Sequence, residues 1–139
     1  MELSSVSWTA VAACFAFSVI SGALWFGPKT FFPAWWSAIG KATGDQPVGT
    51  PVTWILLMLT SVVQALCSAM LVPVIASAMG GTSAATGAMA GVFIWLGFVG
   101  PTGLANKLFA GYIKAWAIES GNHLLNFVVF GAIIGALHA

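Results

Sequence analysis

Charge is what this sequence most conspicuously lacks. Of 139 residues only 5% are charged: four lysines and three carboxylates, with no arginine at all. A soluble domain carries about a quarter charged residues to hold its surface in water. Seven such side chains (Glu2, Lys29, Lys41, Asp45, Lys107, Lys114, Glu119) cannot solvate a globule that is 60% hydrophobic. The solvent of this chain is therefore lipid. The absence of arginine excludes bidentate guanidinium recognition of phosphate. A formal charge of +1, without any basic tract, argues against nucleic acid as a partner. Signatures of soluble enzymes are missing too: no Gly-rich phosphate loop, no zinc pair, no Ser-His-Asp set. No enzyme activity and no metal are expected. Cysteine is scarce, and Cys14 and Cys67 both fall within apolar runs, where they read as small hydrophobes.

What is present is long apolar runs. A hydrocarbon core of about 30 Å needs about 20 apolar residues per helix. Four stretches qualify: Val6 to Phe26, Val52 to Met79, Ala84 to Ala105, and Trp116 to Leu137. Breakers separate them: the proline-rich Gly27 to Pro51, the tight Gly80-Gly81-Thr82-Ser83 turn, and a short segment with Lys107 and Lys114. The opening Met1-Glu2-Leu3-Ser4-Ser5 has no basic region, so the first run reads as a retained helix rather than a cleaved signal. The expected fold is all-α: one transmembrane domain over residues 1–139, a bundle of four spanning helices.

All four lysines lie in the first and third loops. The positive-inside rule places residues 27–51 and 106–115 in the cytoplasm and both termini outside. In the first loop Phe31, Trp35 and Ile39 fall at helical spacing, with Phe32 and Trp36 beside them. An interfacial half-helix would set these rings and Trp25 at headgroup depth as an anchor, with a ligand-stacking platform as the sharper alternative.

Lipid gives helices no hydrophobic reason to associate, so small residues that admit close backbone approach matter. They recur four apart: Cys14, Ser18 and Gly22 in the first helix, Gly87 and Gly91 in the third, Gly131 and Gly135 in the fourth. These faces serve either the packing of this chain or a dimer. The third helix carries Gly97, Gly100, Pro101 and Gly103, where the proline should kink it. The break is either structural or, as in transporters, a means of exposing backbone to a substrate.

One polar stripe stands out. Glu119, Asn122, His123 and Asn126 share a helical face, with Asn126 about 10 Å deeper than Glu119. Asn106 and Lys107 lie at the same membrane surface, which makes Lys107 a candidate partner for Glu119, and Gln64 could join from the second helix. Polar groups in hydrocarbon must face other helices or a wet cavity. The stripe either ties helices together or handles protons or a ligand through Glu119 and His123. Axial ligation of haem or pigment by His123 is the least supported option, and no cofactor is expected, since His138 is about 22 Å away along the same helix.

Two strings carry a family resemblance. Trp25-Phe26-Gly27-Pro28, followed by Phe31, Phe32 and Trp35-Trp36, is one; Gly97-Phe98-Val99-Gly100-Pro101-Thr102-Gly103-Leu104-Ala105-Asn106-Lys107-Leu108-Phe109 is the other. With the closing Gly131 to Gly135 they resemble the domain of unknown function 1761 family of small bacterial membrane proteins. The resemblance covers nearly the whole chain and implies a four-helix protein of the bacterial inner membrane. It implies no activity. This chain has Asn122-His123 where that pattern has an aromatic, so His123 lies outside what the resemblance implies.

The sequence thus points to a multi-pass membrane protein without catalysis, a homo-oligomer or a small accessory subunit among other membrane subunits in the lipid bilayer. The alternative is a minimal channel or transporter with a polar path at Glu119, His123 and Asn126.

Overall fold

The computed structural model describes residues 6–138. Residues 1–5 and 139, the chain ends expected outside, lie beyond the described residues. Among these the protein is all-helical: α1 (Trp8–Trp25), α2 (Phe32–Ala38), α3 (Pro51–Ala78), α4 (Ala84–Ile94), a π-helical turn (Trp95–Val99), α5 (Gly100–Leu108) and α6 (Ile113–Leu137). Four helices are long and apolar enough to cross a membrane: α1, α3, the run from Ala84 to Leu108, and α6.

Local chemistry sets the boundaries. The Ser7, Thr50 and Ser83 side chains accept from backbone N–H groups in the first turns of α1, α3 and α4, satisfying donors that a helix start leaves unpaired. Pro51 occupies the first turn of α3, where its missing N–H costs nothing. The third loop is shorter than the sequence reading of residues 106–115. α5 runs on to Leu108, with Lys107 as a cation in its last turn, and α6 starts at Ile113. Gly111 at φ +75° makes the tight turn, and Tyr112 N–H returns to the Lys107 carbonyl at 3.0 Å.

α6 is the hub, touching α1, α2, α3, α4 and α5. Its closest neighbour is α4, and glycine is the reason. A Cβ built on Gly87 would collide with the Gly131 carbonyl, one on Gly91 with that of Phe127, and one on Gly135 with that of Ser83. The two backbones therefore lie against one another with no side chain between them, a contact governed by van der Waals packing. The glycine faces of the third and fourth spans are thus used within the chain. Gly22 has no atom within 4 Å of its would-be Cβ, so it does not serve as a close-packing position. α1 instead turns Ala10, Cys14, Ser18 and Ser21 inward.

The π-helical turn ends two residues before Pro101. In an α-helix the proline ring would strike the carbonyl four residues back. The wider turn, in which Gly100 N–H reaches the Trp95 carbonyl, accommodates it. Two tryptophans tie this irregular stretch to α6: Trp116 Nε1 donates to the Gly100 carbonyl at 3.0 Å, and Trp95 Nε1 to that of Ser120 at 3.1 Å. Gly100 and Gly103 make room for those indoles, since a Cβ on either would stand 3.2 Å from a ring atom. Gly97 has open space instead.

Candidate functional site

The polar stripe of α6 divides between two neighbours. Towards α1, the Ser21 hydroxyl donates to Asn126 Oδ1 at 2.5 Å, and Asn126 Nδ2 donates to Asn122 Oδ1 at 3.3 Å. Both asparagines are buried at 5% exposure, where hydrocarbon offers no partner; the ladder satisfies Asn126, while Asn122 Nδ2 stays unpartnered among the described residues. Trp25 Nε1 lengthens the seam by donating to the Ile118 carbonyl at 3.0 Å.

Towards α2 and α5 stands Glu119. Its Oε1 accepts from Lys107 Nζ at 3.0 Å and from Trp35 Nε1 at 2.7 Å. Through its indole N–H Trp35 thus joins the first loop to the fourth span. The ring is held by neighbours, edge-on to Phe26 at a centroid distance of 5.4 Å and tilted against Trp36 at 5.8 Å. Phe32 stacks on Trp36 at 5.4 Å, and Trp25 lies 4.5 Å from Phe31. Trp36 itself donates to the Ala42 carbonyl at 3.1 Å.

Both donors to Glu119 converge on one oxygen. Among the described residues Oε2 receives no hydrogen bond, and Glu119 lines a small cavity of about 120 Å³. The other walls are Val99 of the π-helical turn, Gly103 of α5, and Trp116, Ser120 and His123 of α6. Ser120 Oγ and His123 Nδ1 are buried without a hydrogen-bond partner. An unpaired buried polar atom costs about 1–3 kcal/mol, more where no water can reach it. The two residues that carry these atoms line the same cavity as Glu119. The volume admits several waters or a small solute.

Of the residues singled out in the sequence, Lys107, Glu119 and His123 come together here, and Asn122 with Asn126 turns towards α1. Asn106 is exposed at the end of α5, and Gln64 lies elsewhere, on a groove formed by α3, the π-helical turn and α6. Ser120, Trp116 and Ser21 were missed. Ser120 and Trp116 sit three and seven residues before His123, a spacing that places them on its face. Ser21 had only its place in the Cys14, Ser18, Ser21 succession as a signal.

Neither curated proteins nor solved structures gave a match to this chain. A family model described as Protein of unknown function (DUF1761) matches residues 9–135, a span that includes the α4–α6 contact, the Trp35–Glu119–Lys107 junction and the cavity beneath it. The chain belongs to that family, DUF1761.

Proposed function

We propose that this is a non-enzymatic, proton-handling protein of the bacterial inner membrane, a minimal transporter or channel component whose working site is the Glu119–Ser120–His123 cavity. The supporting observation is one cavity lined by Glu119, whose Oε2 accepts no hydrogen bond among the described residues, together with Ser120 and His123, each of which carries a buried unpartnered atom, Oγ and Nδ1. Imidazole is the side chain that ordinarily changes charge near neutrality, and ionisable groups within spanning helices mark ion and proton pathways. Water in the cavity would connect them.

Orientation follows the lysines. On the lysine asymmetry the Lys107 end of α5 and the aromatic α2 would face the cytoplasm, with α2 at the headgroup level. Deeper in, the polar stripe stops at Asn126, and Phe127, Phe130 and Ile134 fill the core beyond it.

Purified protein in liposomes loaded with a pH-sensitive dye, under an imposed potassium diffusion potential, provides the test. Wild type should let that potential drive protons inward and acidify the lumen. Glu119→Gln and His123→Ala should lower that rate by roughly a hundredfold, the scale on which a positioned proton carrier contributes, while the helices remain assembled. A wild-type rate no greater than that of empty liposomes, or an undiminished rate in Glu119→Gln, would overturn this reading.

A further inference from the structure

The α4–α6 glycines are used inside the chain, yet another face has no neighbour. α3 is 28 residues long, and Pro51 to Leu57 are exposed on every side. Further along, α3 turns Ala65, Ala69, Val72 and Ala76 into the protein. Away from them runs a stripe spaced alternately three and four apart: Leu57, Thr60, Gln64, Cys67, Leu71 and Val74. Five of these are exposed and Gln64 is half-buried. One set at seven-residue intervals is small or branched (Thr60, Cys67, Val74), and the other is longer (Leu57, Gln64, Leu71). That is the pattern of a left-handed helix pair, in which long side chains enter gaps left by short ones.

Gln64 is the informative member. It is the fourteenth residue of the 28 in α3, and thus at mid-membrane, on a groove of about 320 Å³ open to the outside. Ser68, one turn on, lines the same groove at 2% exposure with its Oγ unpartnered. A lipid chain can fill such a groove but offers no hydrogen bond to an amide or a hydroxyl, and unpaired polar groups in hydrocarbon are costly. The occupant must therefore bring polar groups at the same depth. An amide carries both donors and acceptor, so glutamine is complementary to itself. At a two-fold axis each residue near the axis meets its own copy.

We infer that a second copy of this chain packs on α3, in a parallel two-fold dimer with Gln64 bonded to Gln64 across the axis. This face is separate from the Glu119 cavity, and the dimer stands whether or not that cavity handles protons. Gln64 fixes register along an otherwise apolar seam, as a single polar residue does in a coiled coil.

The protein carries its own probe. Cys67 lies exposed on the seam, while Cys14 is wholly buried. Mild oxidation of native membranes with copper–phenanthroline should join two chains of 14.4 kDa through a Cys67–Cys67 disulfide. Cys67→Ala should abolish that product. In the Cys67→Ala background, cysteines introduced one at a time at Thr60, Gln64, Leu71 and Val74 should cross-link, and those at Leu59 and Val62, also exposed but off the seam, should not. Gln64→Leu should lower the association constant roughly five- to thirtyfold. Gln64→Asn, which keeps a self-complementary amide, should retain most of it. Absence of a dimer, equal yields on and off the seam, or a Cys67 adduct with a different polypeptide would each overturn the inference.

Discussion

Gly131→Ala should remove most of the folded protein, although the substitution adds a single methyl group. Alanine is ordinarily the better helix former, by about 0.5–1 kcal/mol over glycine. At Gly131, however, the added Cβ would strike the Gly87 carbonyl oxygen and lie 2.7 Å from its carbon. The obstacle is backbone, which cannot change rotamer. The helices must separate, and with them goes the interdigitation of Gly87, Gly91, Gly131 and Gly135. Overpacking a tight core costs about 1–3 kcal/mol, and more where backbone must move. Loss here should lie at or above the top of that range. Gly87→Ala and Gly91→Ala should behave alike, and Gly87→Leu or Gly131→Leu should leave no monodisperse protein. Gly22→Ala and Gly97→Ala are the controls, because a Cβ at either meets nothing within 4 Å. These two should match or slightly exceed wild type in thermal midpoint. Fluorescence-detected size exclusion after graded heating in detergent reads all of these variants. Equal stability of Gly131→Ala and Gly22→Ala would show that α4 and α6 do not meet backbone to backbone.

That contrast also marks where the sequence was legible. Four-residue glycine spacing announces a close approach, and both glycine pairs proved to be at one. The partner is not written in the spacing, because a small-residue face has the same composition whether it meets a neighbouring helix or another chain. Gly22 shows the converse. It completed a four-residue succession with Cys14 and Ser18, yet the buried edge of α1 runs through Ser21, one position aside. A shift of one residue turns the helix by about 100°, and nothing local fixes which of two adjacent small residues faces in.

The spans themselves were plain from composition, since about 20 apolar residues leave little choice. Their ends were less so. Lys107 read as loop because charge usually marks the exit from lipid, but a lysine can stay helical and send its ammonium to the interface. The polar stripe of α6 was also visible, whereas its division was not. Glu119, Asn122, His123 and Asn126 spread over an arc wide enough to touch two neighbours, and only the placement of α1 and α5 decides which side chain meets which. Trp35 was the least legible. Its ring fits an interfacial belt by composition alone, and its hydrogen-bond partner lies 84 residues away in sequence.

The Lys107–Glu119 pair should be asymmetric when broken, and the asymmetry follows from side-chain length. The two side chains are 27% and 26% exposed, so neither is fully hydrated nor sealed off. Replacing Lys107 with methionine leaves the carboxylate with Trp35 as its remaining donor. Glutamate is short and sits on a spanning helix, so it cannot follow the water, and the loss should be about 2 kcal/mol. Glu119→Gln leaves an ammonium without a counter-charge, but lysine has four methylenes with which to reach the headgroups, and the new amide oxygen still accepts from the Trp35 indole. That loss should be at most about 1 kcal/mol. The double variant should then be more stable than Lys107→Met alone, because removing the stranded charge relieves the greater part of the penalty. Thermal midpoints of the four proteins in one detergent give the cycle directly, and the Trp35 contribution to fluorescence should change with Lys107→Met. Equal single losses with simple additivity would mean that the ammonium and the carboxylate are solvated independently. In that case Glu119 would be held by Trp35 alone, and the aromatic first loop, rather than the end of α5, would be what positions the carboxylate over the cavity.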